Sequence, residues 1–174
     1  MPRILVWGCS GSGKSTFAHK LCQLTGLPSV SLDSHFWKPG WVESERAEFR
    51  QRLAPIFASE NWVVDGNYLT ALEGAQVPRA THIYFFDLPR WRCLKGALGR
   101  IIKSYGQVRP EMAPGCPEKF DPAFFRYIWD FRRTQHPKFA HVFASLRPDQ
   151  RLLTFTLRQQ ADAEIARIAN QGLA

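Results

Sequence analysis

Residues Gly8-Cys9-Ser10-Gly11-Ser12-Gly13-Lys14-Ser15 follow directly on a short apolar run, Ile4-Leu5-Val6-Trp7, and precede a helical pattern carrying Phe17, Leu21 and Leu24. Strand, glycine-rich loop, helix is a narrow architectural choice. The glycines let the backbone curl so that successive N–H groups point inward at an anion. The helix that begins at the loop adds its positive N-terminal dipole to the same anion. The spacing is G-x-x-x-x-G-K-[ST], the phosphate-binding P-loop, in which Lys14 reaches the β/γ-phosphates and the Ser15 hydroxyl ligates Mg²⁺. Gly8, Cys9, Ser10, Gly11, Ser12, Gly13, Lys14, Ser15 and Thr16 are therefore expected to hold a nucleoside triphosphate, with ATP and Mg²⁺ as cofactors.

The rest of the chain is patterned to match. Strands are predicted at Arg3–Trp7, Ser29–Leu32, Trp62–Val64, Thr81–Phe86 and Arg151–Phe155, and helices begin at Lys14, near Ser44, after Pro89, after Asp121 and after Leu157. Alternating strands and helices specify an α/β fold on a parallel sheet. With 174 residues, 45% of them hydrophobic, the chain suits one domain with a sizeable core. After Pro89, the residues Leu94, Ala97, Leu98, Ile101, Ile102 and Tyr105 recur at helical spacing, opposite Arg92, Lys95 and Lys103. The stretch Gly106–Pro122, with prolines at 110, 114, 117 and 122, resists regular structure. A connection of that length in a small domain reads as an active-site lid.

Several classes are set aside by composition. No apolar stretch approaches a membrane span, and the N-terminus lacks a signal-peptide layout, so no membrane partner and a cytoplasmic location are expected. The four cysteines, Cys9, Cys22, Cys93 and Cys116, form no C-x-x-C pair or zinc-like spacing, which fits a reducing compartment, with Cys9 a small filler within the loop. The formal net charge of +8 is concentrated between Pro89 and Arg133, where ten Lys/Arg face four Asp/Glu. Such a concentration serves either nucleic acid or a polyphosphate closed in by arginines, and the P-loop favours the second.

Two acidic positions complete the expectation. Trp62-Val63-Val64-Asp65 is an apolar strand ending in a carboxylate, which a Mg²⁺ site beside a P-loop requires. Leu32-Asp33-Ser34-His35 ends the second predicted strand. In open parallel sheets ligands gather beyond the carboxyl ends of the strands, so Asp33 and Asp65 should both face the crevice above the loop. Asp33 is placed to take a proton from an attacking hydroxyl or to help position the metal, while His35 packs beside Phe36 or touches substrate.

These pieces resemble a known group. Gly8–Ser15, Leu32-Asp33 with Phe36-Trp37, Asp65-Gly66-Asn67-Tyr68, Asp87-Leu88-Pro89-Arg90-Trp91 and the run from Arg109 to Glu118 are similar to those of the small adenylate-kinase-related P-loop proteins labelled "DNA topology modulation protein". The resemblance implies a P-loop NTPase three-layer fold. Its five-stranded parallel sheet is of nucleoside-monophosphate-kinase type with a lid segment, the Asp65 strand lies beside the P-loop strand, and the reaction is a two-substrate phosphoryl transfer. By analogy with adenylate kinases it places Arg100 at the lid edge against the nucleotide base. Arg109, Arg126, Arg132 and Arg133 become candidates to close on the transferred phosphoryl group. One departure stands out: adenylate kinases carry Asp-Gly-Phe-Pro-Arg where this chain has Asp65-Gly66-Asn67-Tyr68-Leu69, so the arginine that grips an acceptor phosphate is absent there. The expected function is Mg²⁺-dependent phosphoryl transfer from ATP to a small-molecule acceptor. The alternatives are a nucleic-acid-linked NTPase or polynucleotide kinase, which has to set aside the fit of the segment's aromatics to helix core faces, and a nucleotide-sensing module without catalysis.

Overall fold

A computed structural model describes residues 1–72 and 74–173. Its elements run β1 (Arg3–Gly8), α1 (Lys14–Thr25), β2 (Ser29–Ser31), α2 (Leu32–Phe36), β3 (Trp37–Lys38), β4 (Val42–Glu43), α3 (Arg46–Ala58), β5 (Trp62–Asp65), β6 (His82–Phe86), α4 (Arg90–Ser104), α5 (Pro122–Ala144), β7 (Arg151–Phe155) and α6 (Arg158–Gln171). All five predicted strands form one sheet in the order β2-β5-β1-β6-β7, every pair parallel, and β3 and β4 make a separate hairpin. The P-loop strand is thus central, with the Asp65 strand beside it.

Strands covered on both faces read as continuous apolar runs rather than alternating ones. Ile4, Leu5, Val6 and Trp7 are all fully buried. The period-2 geometry of the strand then sorts the aromatics between two helical layers. Phe17 of α1 meets Tyr84, Phe86 and Phe155 edge-on at 4.8–5.6 Å between centroids. Trp7 and Phe85 turn the other way, onto Phe139 of α5 at 5.4 and 4.9 Å. Tyr84 also reaches α6, donating its hydroxyl to Glu164 at 3.2 Å. The result is a three-layer α/β sandwich, as expected from the sequence.

Three expectations are corrected. Leu32 opens the five-residue helix α2 rather than closing β2. The β3–β4 hairpin lay outside the predicted elements; its turn runs through Gly40 and Trp41, both at positive φ. In α4 the buried face is Cys93, Ala97 and Ile101, whereas Leu98, Ile102 and Tyr105, expected on the packed stripe, are exposed. Among the described residues, no helix is long and apolar enough to cross a membrane.

The stretch from Gly106 to Pro122 lacks helix and strand but is fastened at several points. Met112, Ala113 and Cys116 are buried against Trp37 and Trp41. Trp41 Nε1 donates to the Pro117 carbonyl at 3.0 Å, Gly40 N–H to the Gly115 carbonyl at 2.8 Å and Ser31 Oγ to the Glu111 carbonyl at 2.8 Å.

Candidate functional site

The parallel register brings the carboxyl ends of β1, β2 and β5 level, pairing Val6 with Asp65 and Asp65 with Ser31. The P-loop, Asp65 and the start of α2 consequently share one edge of the sheet, where ligands of open α/β sheets collect.

The loop is held from outside by groups far away in sequence. Asn67 clasps Gly8 with both ends of its amide: Gly8 N–H donates to Oδ1 and Nδ2 donates to the Gly8 carbonyl, each at 3.0 Å. Arg158 donates from Nη2 to the Gly11 carbonyl at 2.6 Å and from Nε to the Ser12 carbonyl at 3.1 Å. Gly11, at φ +78°, lies so close to α4 that a Cβ would stand 2.1 Å from the Cys93 carbonyl oxygen, and a Cβ on Gly96 would stand 2.1 Å from the Gly11 carbonyl oxygen. Three backbone carbonyls are thus engaged outward, and of the loop's N–H groups Gly8 donates to Asn67 and Ser12 to the Cys9 carbonyl. The first turn of α1 holds no acidic residue to offset the helix dipole there.

Lys14 Nζ lies 3.4 Å from Asp65 Oδ1. Asp65 is 7% exposed, and Oδ1 is buried without a hydrogen-bond partner. Burial is the largest influence on its carboxyl and raises its pKa; Lys14 and a hydrogen bond with Ser15 act in the opposite direction, and Asp33 adds to the rise. A buried carboxylate oxygen without a hydrogen bond, ion-paired among the described residues only with Lys14 at 3.4 Å, is the arrangement that a divalent cation completes. Mg²⁺ beside a polyphosphate needs only one or two protein oxygens. This fits the described residues, which contain no group of three or more His, Cys, Asp or Glu able to form an all-protein cage. Asp33, on α2, accepts from the Tyr68 hydroxyl at 2.7 Å. His35 is held below its ordinary pKa by burial and then by Arg52, which favours the neutral imidazole.

The arginines divide into two groups. Arg100 and Arg109 both approach Glu118, a buried carboxylate, Arg100 at 3.3 Å and Arg109 in a short contact; Arg109 also reaches Glu111 at 3.3 Å. Burial and then Arg109 lower the pKa of Arg100, while Glu118 and Asp33 raise it, so its guanidinium feels both the loop carboxylate and the acceptor-side one. Arg132 grips Asp87, just beyond β6, at 2.9 and 3.2 Å, and His136 Nε2 lies 3.0 Å from the same carboxylate. Arg126 and Arg133 stand on the exposed face of α5, 86% and 77% exposed at the side chain, on either side of Asp130. Thus Gly8–Ser15, Asp33 and Asp65 are brought together and Arg100 lies within electrostatic reach of Asp33, while Arg126 and Arg133 stand exposed on α5.

Sequence reasoning missed Gly96, Arg158 and the roles of Asn67 and Tyr68. A glycine inside an otherwise apolar helical pattern is a signal of close backbone approach, and Gly96 carried it. Nothing in the sequence links Arg158 to a loop 146 residues away.

No family model matches the chain, and no curated protein is similar to it at a significant level. Solved structures do match. Shikimate kinase from Acinetobacter baumannii, in complex with shikimate, superposes with a TM-score of 0.61 at 16% identity, covering 100% of this chain and 96% of that one. Shikimate kinase from Bacteroides thetaiotaomicron gives 0.54 at 18% identity, covering 97% and 96%. A gluconokinase from Sinorhizobium meliloti gives 0.53 at 16% identity, covering 97% and 94%. The chain therefore has the fold of the small P-loop kinases.

Proposed function

We propose that the chain is a Mg²⁺- and ATP-dependent phosphotransferase that acts on a hydroxyl group of a small molecule. The observation that carries this reading is the convergence of the clasped P-loop, the Lys14–Asp65 pair and Asp33 on one edge of the sheet. Lys14 and the loop N–H groups would hold the β/γ-phosphates, and Ser15 and Asp65 would hold Mg²⁺, which supplies charge neutralisation on the phosphoryl oxygens. Asp33 would orient the acceptor hydroxyl. Its oxygen attacks the γ-phosphorus, the bond to the ADP oxygen breaks, and the hydroxyl proton passes towards the carboxylate. Arg100 and Arg109 are assigned to the transferred phosphoryl group or the base, and Gly106–Pro122 to a lid that Glu118 ties to both. Fold neighbours titled shikimate kinase and gluconokinase support a hydroxylated acceptor, and the four unpaired cysteines suit a reducing, cytoplasmic setting. The finer kinship with adenylate-kinase-related proteins labelled "DNA topology modulation protein" rests on the motif runs alone. Phosphoryl transfer from labelled ATP to a panel of nucleosides, nucleotides, sugars and hydroxy acids tests the reading. Transfer lost in Asp33→Asn with ATP binding retained is expected, and no transfer to any acceptor would refute it.

A second reading is favoured by one observation. Trp91, Tyr105 and Trp129 are 58%, 67% and 54% exposed, rather than on helix core faces. Arg90 lies 4.6 Å over Trp129 and Arg92 5.1 Å over Trp91. Exposed aromatics with guanidinium neighbours are the elements of a single-strand stacking surface. Salt-dependent binding of a labelled oligonucleotide, lost in Trp91→Ala/Trp129→Ala, is what this reading requires.

A further inference from the structure

We propose that Tyr68 is a positioning residue, which holds Asp33 in place through its hydroxyl without cancelling the carboxylate's charge. The inference rests on the acceptor-side reading of Asp33 given above. Tyr68 sits at φ +32°, in the left-handed region that a bulky side chain avoids. Such a conformation persists where the surroundings over-determine it, and functional sites are where that happens. The ring is fixed by Phe36 and Phe49, at 4.6 and 5.3 Å between centroids. Those contacts would hold a phenylalanine equally well. What the hydroxyl adds is the 2.7 Å bond to Asp33 Oδ1, within the range of a charge-assisted hydrogen bond.

The direction of that bond is settled by the phenol, whose pKa is raised well above its ordinary value by burial and then by Asp33. Tyr68 donates, and Asp33 accepts. Among the described residues Asp33 has no ion pair. An arginine in this place would fix the carboxylate but spend its charge. A phenol fixes one oxygen and leaves the other, still anionic, for an incoming hydroxyl. The neighbouring residues serve the donor side: Asp65 meets Lys14, and Asn67 clasps Gly8. Asp65 at the end of β5 and Asn67 and Tyr68 just beyond it therefore set the phosphate loop and the acceptor carboxylate in one register, where the adenylate-kinase run carries its phosphate-gripping arginine.

The test is a double-mutant cycle on the full chain with Tyr68→Phe, Asp33→Asn and the combination. It reads MgATP hydrolysis with water as acceptor, ATP affinity by calorimetry, and thermal midpoint. Tyr68→Phe should lower kcat about tenfold, with KM for ATP within about twofold, and leave the midpoint near that of the parent protein. In the Asp33→Asn background the same substitution should cost nothing further, because Tyr68 acts only through Asp33. An unchanged kcat in Tyr68→Phe beside an impaired Asp33→Asn overturns the inference alone. A loss of equal size in both backgrounds, or of stability without kcat, does the same. An Asp33→Asn variant with full activity overturns the acceptor-side reading itself. A spectrophotometric titration of the tyrosines reports independently of turnover: removing the Asp33 charge should bring the ionisation of Tyr68 and Tyr127 to lower pH, the Tyr68 share should vanish in the Tyr68→Phe background, and an unmoved titration shows that the contact is absent.

Discussion

Gly96→Ala should damage the phosphate loop from outside it. Alanine in place of glycine in a helix interior ordinarily adds about 0.5–1 kcal/mol of stability, and Gly96 lies in the middle of α4 with an ordinary helical φ. Its added Cβ, however, would stand 2.1 Å from the Gly11 carbonyl oxygen and 2.6 Å from Arg158 Nη2. Ordinary contact begins at 3.4 Å, so the loop carbonyl has to retreat by about 1.3 Å. Arg158 can swing away, but then the Gly11 and Ser12 carbonyls lose their donors. Overpacking of this kind costs ~1–3 kcal/mol, which exceeds the helix gain. A displacement near 1 Å in a positioning loop can cost about 10²-fold in activity. Gly99→Ala provides the control, since it lies in the same helix with nothing within 4 Å of its added Cβ. Thermal denaturation should place Gly99→Ala above the parent protein and Gly96→Ala below it, by several degrees at ~2–4 °C per kcal/mol for a chain of this size. Calorimetry with MgATP should show affinity weakened at least tenfold in Gly96→Ala alone. A Gly96→Ala protein as stable as Gly99→Ala and binding ATP normally would refute the argument that α4 braces the loop.

Lys14→Ala should abolish measurable ATP binding by calorimetry, and Asp65→Asn should retain it while lowering Mg²⁺-dependent turnover about 10²-fold, because one holds phosphate and the other metal. Glu164 is held below its ordinary pKa of 4.5 chiefly by Arg167, and Tyr84 donates to it as well. With the folded value depressed, its stabilisation is full above pH 4.5 and lost as pH falls through the folded value. Glu164→Gln should therefore melt lower at pH 7, by ~1–2 kcal/mol of stability, and converge with the parent protein in acid. Hydrogen exchange across Gly106–Pro122 should slow when an ATP analogue and acceptor are added together; equal protection with and without ligand would remove the lid assignment.

The donor half of the site was readable because backbone geometry dictates residue type. A loop that curls around phosphate needs glycine at fixed spacing, and a strand ending beside it needs a carboxylate, so Gly8–Ser15 and Asp65 announce themselves. The strands were legible for a related reason: β1, β5 and β6 are covered on both faces, and uninterrupted apolar runs such as Ile4–Trp7 have few other uses. Helix α2 was not, since five residues are too few to show a period of 3.6. Nor was the β3–β4 hairpin, since its strands are two residues each and too short to show a period of 2, although Gly40 marks its turn beside Trp41 at φ 64°. On α4, helical spacing marked two adjacent apolar stripes but could not say which one the fold covers. Cys93, Ala97 and Ile101 are packed because Gly96 and Gly11 let that side close upon the loop.

The acceptor half resists reading for a deeper reason. Asp33 comes from α2, Tyr68 from the tail of β5, Arg100 from α4, and Arg109 with Glu118 from the proline-rich stretch. Each is an ordinary polar residue whose meaning comes only from the partners that folding supplies. Arg109 illustrates this. By position it is a candidate to close on a phosphoryl group, yet it shares the buried Glu118 carboxylate with Arg100 and also meets Glu111 at 3.3 Å. That shared carboxylate is a property of the assembled cluster, invisible at any one of its positions. It is also a property that a substrate can use. On the phosphotransferase reading, an incoming phosphoryl group would meet guanidinium groups already partly desolvated, which strengthens their interaction with charge that develops in the transition state. Replacing Glu118 with Gln would leave Arg100 without its carboxylate partner. It should loosen the Gly106–Pro122 segment before it alters ATP affinity, a separation that proteolysis and calorimetry together would resolve.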